Sequence, residues 1–311
     1  MLPFVFIFLS STLLAADYAA PAGLRPAQPR PGAESVLPGG RLITPLGRSY
    51  HTGPGPFGLA IGPGGNLIAS ANGGPDRFSL TLLKRDGRSW QTREVVAPSG
   101  DPEEDDWRSV FMGLAFESDR ALYVSEGNSG RVRLVDSATG QTERTYELNG
   151  DGFKDSYTSD LALDRTRGLL YVVDQANFRL AVIDTRKRQV VGSVQLGRLP
   201  FSIALSPDGR RAFVTNLGMF QYQPVPGADR RNARETGLPF PAFGFPSPDA
   251  AQGAKRETGR GAVDVPGLGD PNAPESNSLA IVDLANPAAP RLLALVPTGT
   301  PFGRGSLGGS S

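Results

Sequence analysis

Five oxygen-bearing residues stand in one kind of local setting: Glu126 and Asn128 in "LYVSEGN", Asp174 and Asn177 in "LYVVDQAN", and Asn216 in "AFVTN". Each lies at or just past the end of a short apolar run. If those runs are strands that finish at one end of the molecule, the five side chains gather into a ring of carboxylates and amides. Such donors suit Ca²⁺ or another hard cation. A cation held there could polarise a carbonyl and activate water. Polar residues and glycine at strand ends are also ordinary turn chemistry, and that plainer reading covers the whole set. Asn72 and Asp76 extend it upstream.

Composition limits other chemistry. The chain has no cysteine, which excludes disulfides, thiolate metal sites, a thiol nucleophile and a lipid-modified thiol. The single histidine, His51, sits in the Gly/Pro-rich stretch "HTGPGPFG". By type it is a general-base candidate; by setting it is a surface or packing residue. Asp101, Glu103, Glu104, Asp105 and Asp106 crowd one loop. They lack the alternation, glycine and distal Glu of a Ca²⁺ loop, and read as a solvated acidic segment. Asp151 and Asp155 in "NGDGFKDSYTSD" form a second cation candidate. There is no G-x-S-x-G elbow, and "GPGG" at 62–65 lacks the strand-then-helix setting of a phosphate loop.

The 311 residues carry 32 basic and 31 acidic side chains, a formal net charge of +1. That balance offers no footprint for nucleic acid and no polybasic membrane anchor. The N-terminus, "MLPFVFIFLSSTLLAADYAA", has an apolar core over 4–14 followed by Ala15 and Ala16. It reads as a signal peptide over 1–16, which implies export to the periplasm or beyond. No later segment is long and apolar enough to span a bilayer, so no integral membrane segment is expected after cleavage.

Residues 17–40 are rich in Pro, Ala and Gly and read as a flexible lead-in. Repetition begins at Pro56. "PFGLAIGPGGNLIASANG", "FMGLAFESDRALYVSEGN", "TSDLALDRTRGLLYVVDQAN" and "PFSIALSPDGRRAFVTN" line up, each with an apolar-Ala pair, a turn and a second apolar run. Third and fourth runs follow, with period-two alternation in "RVRLVD" and "RLAVID". Four short strands per unit predict blades at about 56–98, 108–150, 157–197 and 199–299. The fold class is all-β, a β-propeller whose stacked blades bury faces that no blade can bury alone. The small Ala of each first strand (60, 115, 162 and 204) is expected where inner strands crowd the axis.

The fourth unit breaks after Asn216 and resumes at "SNSLAIVDL", so 217–276 is an insertion inside a blade. Phe240, Phe243 and Phe245 argue for an ordered lid or partner-binding loop. Two polar stretches within it, 229–237 and 251–259, have helical residue choice and end on glycine.

"PFSIALSPDGRRAFVTN" with "LAIVDL" resembles the YVTN-type β-propeller repeats of exported bacterial proteins, and is similar in style to lactonase-type seven-bladed propellers. The resemblance covers roughly 41–311; the strand endings "AFVTN", "LYVSE" and "LYVVD" depart from the name-giving motif. It implies that four blades are part of a seven-bladed ring and that this chain is partial. It also implies that "RLITPLG" (41–47) is a ring-closing outer strand. Loops between second and third strands share a face with the inter-blade loops, and enzymes of this fold carry their site there. Three functions stay open. The first is a binding or scaffold module taking a small molecule or protein at the insertion-bearing face. The second is a metal-assisted lactonase-type hydrolase using Ca²⁺. The third is the front propeller of a larger phosphoesterase.

Overall fold

A computed structural model describes residues 19–30, 34–74, 78–96, 109–229, 232–238 and 241–298. The signal-like segment 1–16, the acidic loop at 101–106, Asp76 and Phe240 lie outside the described residues. The chain divides into two units, 1–51 and 52–311.

In the first unit β1 (Ser35–Val36) pairs antiparallel with β2 (Leu42–Ile43). Val36 and Ala22 are buried, and the Ala22 amide donates to Gly40. The lead-in thus carries local structure, and the strand expected to close a ring pairs here with Ser35–Val36. His51 ends this unit and is exposed.

In the second unit the period-two runs become strands. Blade one is β3 (Pro56–Ile61), β4 (Leu67–Gly73), β5 (Phe78–Asp86) and β6 (Ser89–Val96). Blade two is β7 (Leu114–Phe116), β8 (Ala121–Ser125), β9 (Arg131–Asp136) and β10 (Thr142–Glu147). Blade three is β11 (Thr158–Asp164), β12 (Leu169–Asp174), β13 (Arg179–Asp184) and β14 (Gln189–Gln195). Blade four is β15 (Pro200–Leu205), β16 (Arg211–Asn216), β19 (Ser278–Asp283) and β20 (Arg291–Pro297). Each blade is an antiparallel meander in chain order, with the insertion interposed before β19. The first strands β3, β7, β11 and β15 contact one another in series, so the sheets radiate from a line of inner strands. That arrangement is a β-propeller of four-stranded blades.

Alternation builds the core. On β12, Leu170 and Val172 face blade two while Tyr171 and Val173 face blade four, and all four are buried. Three apolar layers result, one between each consecutive pair of blades. The closest approach of inner strands falls two residues before the alanines that the sequence marks. A Cβ at Gly58 would strike the Met112 carbonyl, and one at Gly113 the Ser159 carbonyl. Backbone meets backbone at these points, so the inner strands require glycine rather than alanine there. Ala60 and Ala115 instead pack half-buried against the layers between blades.

The outward faces differ. Leu114 and Leu161 on first strands are 8% and 6% exposed, but Leu59, at the same place in blade one, is 72% exposed. Ile61 is also exposed, and Phe213 in blade four is half-buried where Tyr123 and Tyr171 of blades two and three are buried.

The end of the propeller away from the insertion is organised by aspartates that close third strands. Asp136 Oδ1 accepts from the Ala138 and Thr139 amides at 2.7 and 2.9 Å, and Oδ2 from Arg120 Nε at 2.7 Å. Asp184 repeats the turn through Arg186 and Lys187, and Asp283 through Ala285. The Arg120 hydrogen bond, joined by those amides, holds the Asp136 carboxyl down at about 2. A carboxyl depressed on folding adds stability that is complete above about pH 4 and lost as pH falls through the folded value. Asp136→Asn should therefore lose less stability than the parent between pH 4 and pH 2 in urea titrations. Parallel losses would remove Asp136 from the acid response.

Candidate functional site

Second strands end, third strands begin and inter-blade segments enter at the same end of the propeller. There a buried polar residue stands at the end of each second strand or within one residue of it: Asn72, Glu126, Asp174 and Asn216 are all at most 1% exposed. Burial of such groups requires partners, and the third strand supplies them. Asn72 Nδ2 donates to Ser79 Oγ and Thr81 Oγ1 at 3.0 and 2.9 Å. Glu126 Oε2 accepts from Arg131 Nε at 2.8 Å and from Ser129 Oγ at 2.6 Å, and Oε1 accepts from Arg133 Nε. Asp174 Oδ2 accepts from Arg179 Nε and Asn177 Nδ2, both at 2.9 Å, while Oδ1 accepts from the incoming Tyr157 amide at 3.0 Å. Asn216 Nδ2 donates to Ser278 Oγ at 3.1 Å.

These contacts give the five sequence candidates concrete positions. Glu126 and Asp174 are each met by arginine, so a cation at either would have to displace a guanidinium. Asn128 Oδ1 accepts from Ser109 Oγ at 2.9 Å. Asn177 ties its loop to the inter-blade segment through Lys154 O and Ser156 Oγ, both at 3.1 Å. Among the described residues no three of His, Asp or Glu come within reach of one metal ion. The arginines were the missed partners, and they were visible at the starts of "RVRLVD" and "RLAVID".

An aromatic chain links the inner-strand entrances at this end. Phe57 stacks on Phe111 at 5.5 Å between centroids and meets Phe201 edge-on at 6.1 Å, and Phe111 meets Tyr157 edge-on at 5.2 Å. The insertion rises beside it. It contains α1 (Ala233–Thr236), α2 (Pro248–Gln252) and a hairpin of β17 (Gly253–Thr258) and β18 (Gly261–Pro266). Ser247 caps α2 by accepting from the Ala250 amide, with Pro248 in the first turn. The helical reading of 251–259 is thereby corrected: only its first two residues are helical, 253–258 pair as β17, and Gly259 turns the chain into β18. Alternation in "GAVDV" and the turn at Gly259 outweigh the helix preference of Lys, Arg and Glu.

Where the insertion leaves blade four, a cavity of about 740 Å³ opens. Its wall comes from the segment before blade three (Lys154, Asp155, Tyr157), the loop after β12 (Gln175, Asn177, Phe178), Leu199, and the insertion from Tyr222 to Pro224. Of the six non-glycine residues with positive φ among those described, three line it: Asp155 at 50°, Phe178 at 51° and Leu199 at 48°. That conformation costs about 1–3 kcal/mol per residue and concentrates where a site is held in shape. Burial raises the Tyr157 phenol further above its ordinary value, which already leaves it protonated at neutral pH. Arg198, 3% exposed, pins the neck of the insertion through Nη1, which donates to Met219 O and Asp270 O at 2.6 Å and to Ser276 Oγ at 3.0 Å.

No protein-family model matches the chain, and no curated protein matches it. Among solved structures, the chain is similar to hydrazine synthase from Kuenenia stuttgartiensis, with a TM-score of 0.44 and 16% identity over 81% of this chain and 53% of that one. It thus spans about half the length of that protein. A protein from Lactobacillus plantarum gives 0.43 and 17% over 81% and 73%. The periplasmic gluconolactonase of Pseudomonas aeruginosa gives 0.42 and 19% over 60% and 58%.

Proposed function

We propose that the protein is an exported binding module, a β-propeller that takes a small molecule at its insertion-bearing end. The observation that carries this reading is the cavity of about 740 Å³, shared between blade-three loops and the insertion and framed by three residues in left-handed backbone conformation. Pockets of this size with aromatic walls and a few convergent polar groups are the usual form of small-molecule sites. Export rests on the apolar run at 4–14 with Ala15 and Ala16 behind it. The hydrolase reading needs hard donors free to hold a cation. Glu126 and Asp174 are instead engaged by arginines, which favours binding over metal-assisted chemistry.

The test uses protein recovered from a bacterial periplasm, expected to begin at Asp17. Ligand-observed NMR against a fragment library should yield hits that compete with one another and vanish in Ala176→Trp, which fills the cavity from its rim. Millimolar Ca²⁺ should leave the melting temperature unchanged. Hits that survive Ala176→Trp would overturn the assignment of the cavity, and a rise in melting temperature with Ca²⁺ would return the cation reading to the front.

A further inference from the structure

We propose that the cavity beside the insertion takes an organic anion, a small molecule with a carboxylate on an apolar or aromatic body; this rests on the binding reading above. One buried cation at this end lacks a counter-ion. Arg131, Arg133 and Arg179 are buried at this end, and each has a carboxylate: Glu126 serves the first two and Asp174 the third. In blade four the corresponding second-strand residue is Asn216, which is neutral. Its partner across the register is Ser278, where Arg179 stands opposite Asp174, so that pair is neutral as a whole. A buried arginine enters instead from the connection between β14 and β15: Arg198 has only carbonyls and a hydroxyl for acceptors, its Nε has no partner, and no described carboxylate pairs with it. A guanidinium in low-dielectric surroundings without a counter-ion leaves a positive potential that reaches its neighbours.

That potential lies near the cavity: a Cβ at Gly269 would meet both Arg198 Nη2 and the Gln221 side chain, and Gln221 leads directly into Tyr222 of the wall. The wall adds donors of its own. Lys154 is exposed there with no acid partner among the described residues. Gln175 stands behind the wall, where its Nε2 has no acceptor in the protein and is closed to solvent. The carboxylate in the wall, Asp155, is already engaged within the protein. An exposed ammonium and an unbalanced buried guanidinium call for negative charge, and a carboxylate supplies it. Phe178, Leu199 and Tyr222 provide the surface for an apolar body.

The experiment measures six carboxylates of differing body, 3-phenylpropanoate and hexanoate among them, each beside its uncharged amide, by titration calorimetry on the full chain. At least one acid should bind tenfold or more tightly than its amide. That preference should weaken from 50 to 300 mM salt, and fall at least tenfold in Lys154→Glu, checked for unaltered melting. If no acid exceeds its amide while neutral fragments still bind and still vanish in Ala176→Trp, the anion proposal fails and the cavity reading stands. If neither acids nor neutral fragments respond to Ala176→Trp, both fail.

Discussion

Arg179→Met should destabilise the protein by about 3–5 kcal/mol in urea unfolding, the loss expected when one member of a buried ion pair is removed. Arg179 and Asp174 are 3% and 0% exposed, and Nε lies 2.9 Å from Oδ2. The guanidinium also donates to Leu148 O at 2.6 Å and lies over the Phe153 ring at 3.5 Å from its centroid. Methionine keeps the stem but leaves the Asp174 carboxylate buried with only the Tyr157 amide, Asn177 and nearby dipoles to hold it. Asp174→Asn leaves the opposite orphan, a buried guanidinium, and should cost a similar amount. The double variant Asp174→Asn with Arg179→Met should cost clearly less than the two single losses summed, because neither charge then remains unpaired. A loss under about 1 kcal/mol for Arg179→Met would place the pair in water, where such pairs contribute little. The same variants bear on cation chemistry. If Asp174 served a metal ion rather than Arg179, Ca²⁺ would stabilise the parent and the effect would vanish in Asp174→Asn.

This pair also marks how far the sequence could be read. The strand periods in "RLAVID" and "SLAIVD", the break after Asn216 and the resumption at Ser278 are local patterns, so the meanders of blades three and four are legible in the sequence. The use of Asp174 was not. A carboxylate at a strand end looks the same whether it faces a cation or an arginine, and the choice depends on Arg179 five residues on, across a turn whose course is set by Phe178 in a left-handed conformation. The cavity was less legible still. Lys154, Gln175, Leu199 and Tyr222 come from four separate stretches, brought together by blade packing and by the path of the insertion. The hairpin at 253–266 was missed for a different reason. Its first strand, "GAKRET", uses residues whose intrinsic preference is helical, and pairing with "GAVDVP" overrides that preference.

Leu114→Ala should cost about 2–5 kcal/mol, while Leu59→Ala should change stability by no more than about 0.5 kcal/mol. The two leucines occupy the same repeat position, Gly-Leu-Ala, and intrinsic strand preference cannot separate them. Packing does. Leu114 points into the layer between blades one and two, among Ala69, Leu82 and Val124, and truncation there leaves a void in a close-packed interior. Leu59 points away from blade two on the free side of blade one, where it is 72% exposed and truncation removes contacts with water. Leu161, 6% exposed in the next layer, should follow Leu114. The two variants thus weigh position in the series of blades against sequence, with urea midpoints at constant m-value as the readout. If Leu59→Ala costs as much as Leu114→Ala, that face is covered in solution. A dependence of the loss on protein concentration would then identify the cover as a second copy, since only association makes stability depend on concentration.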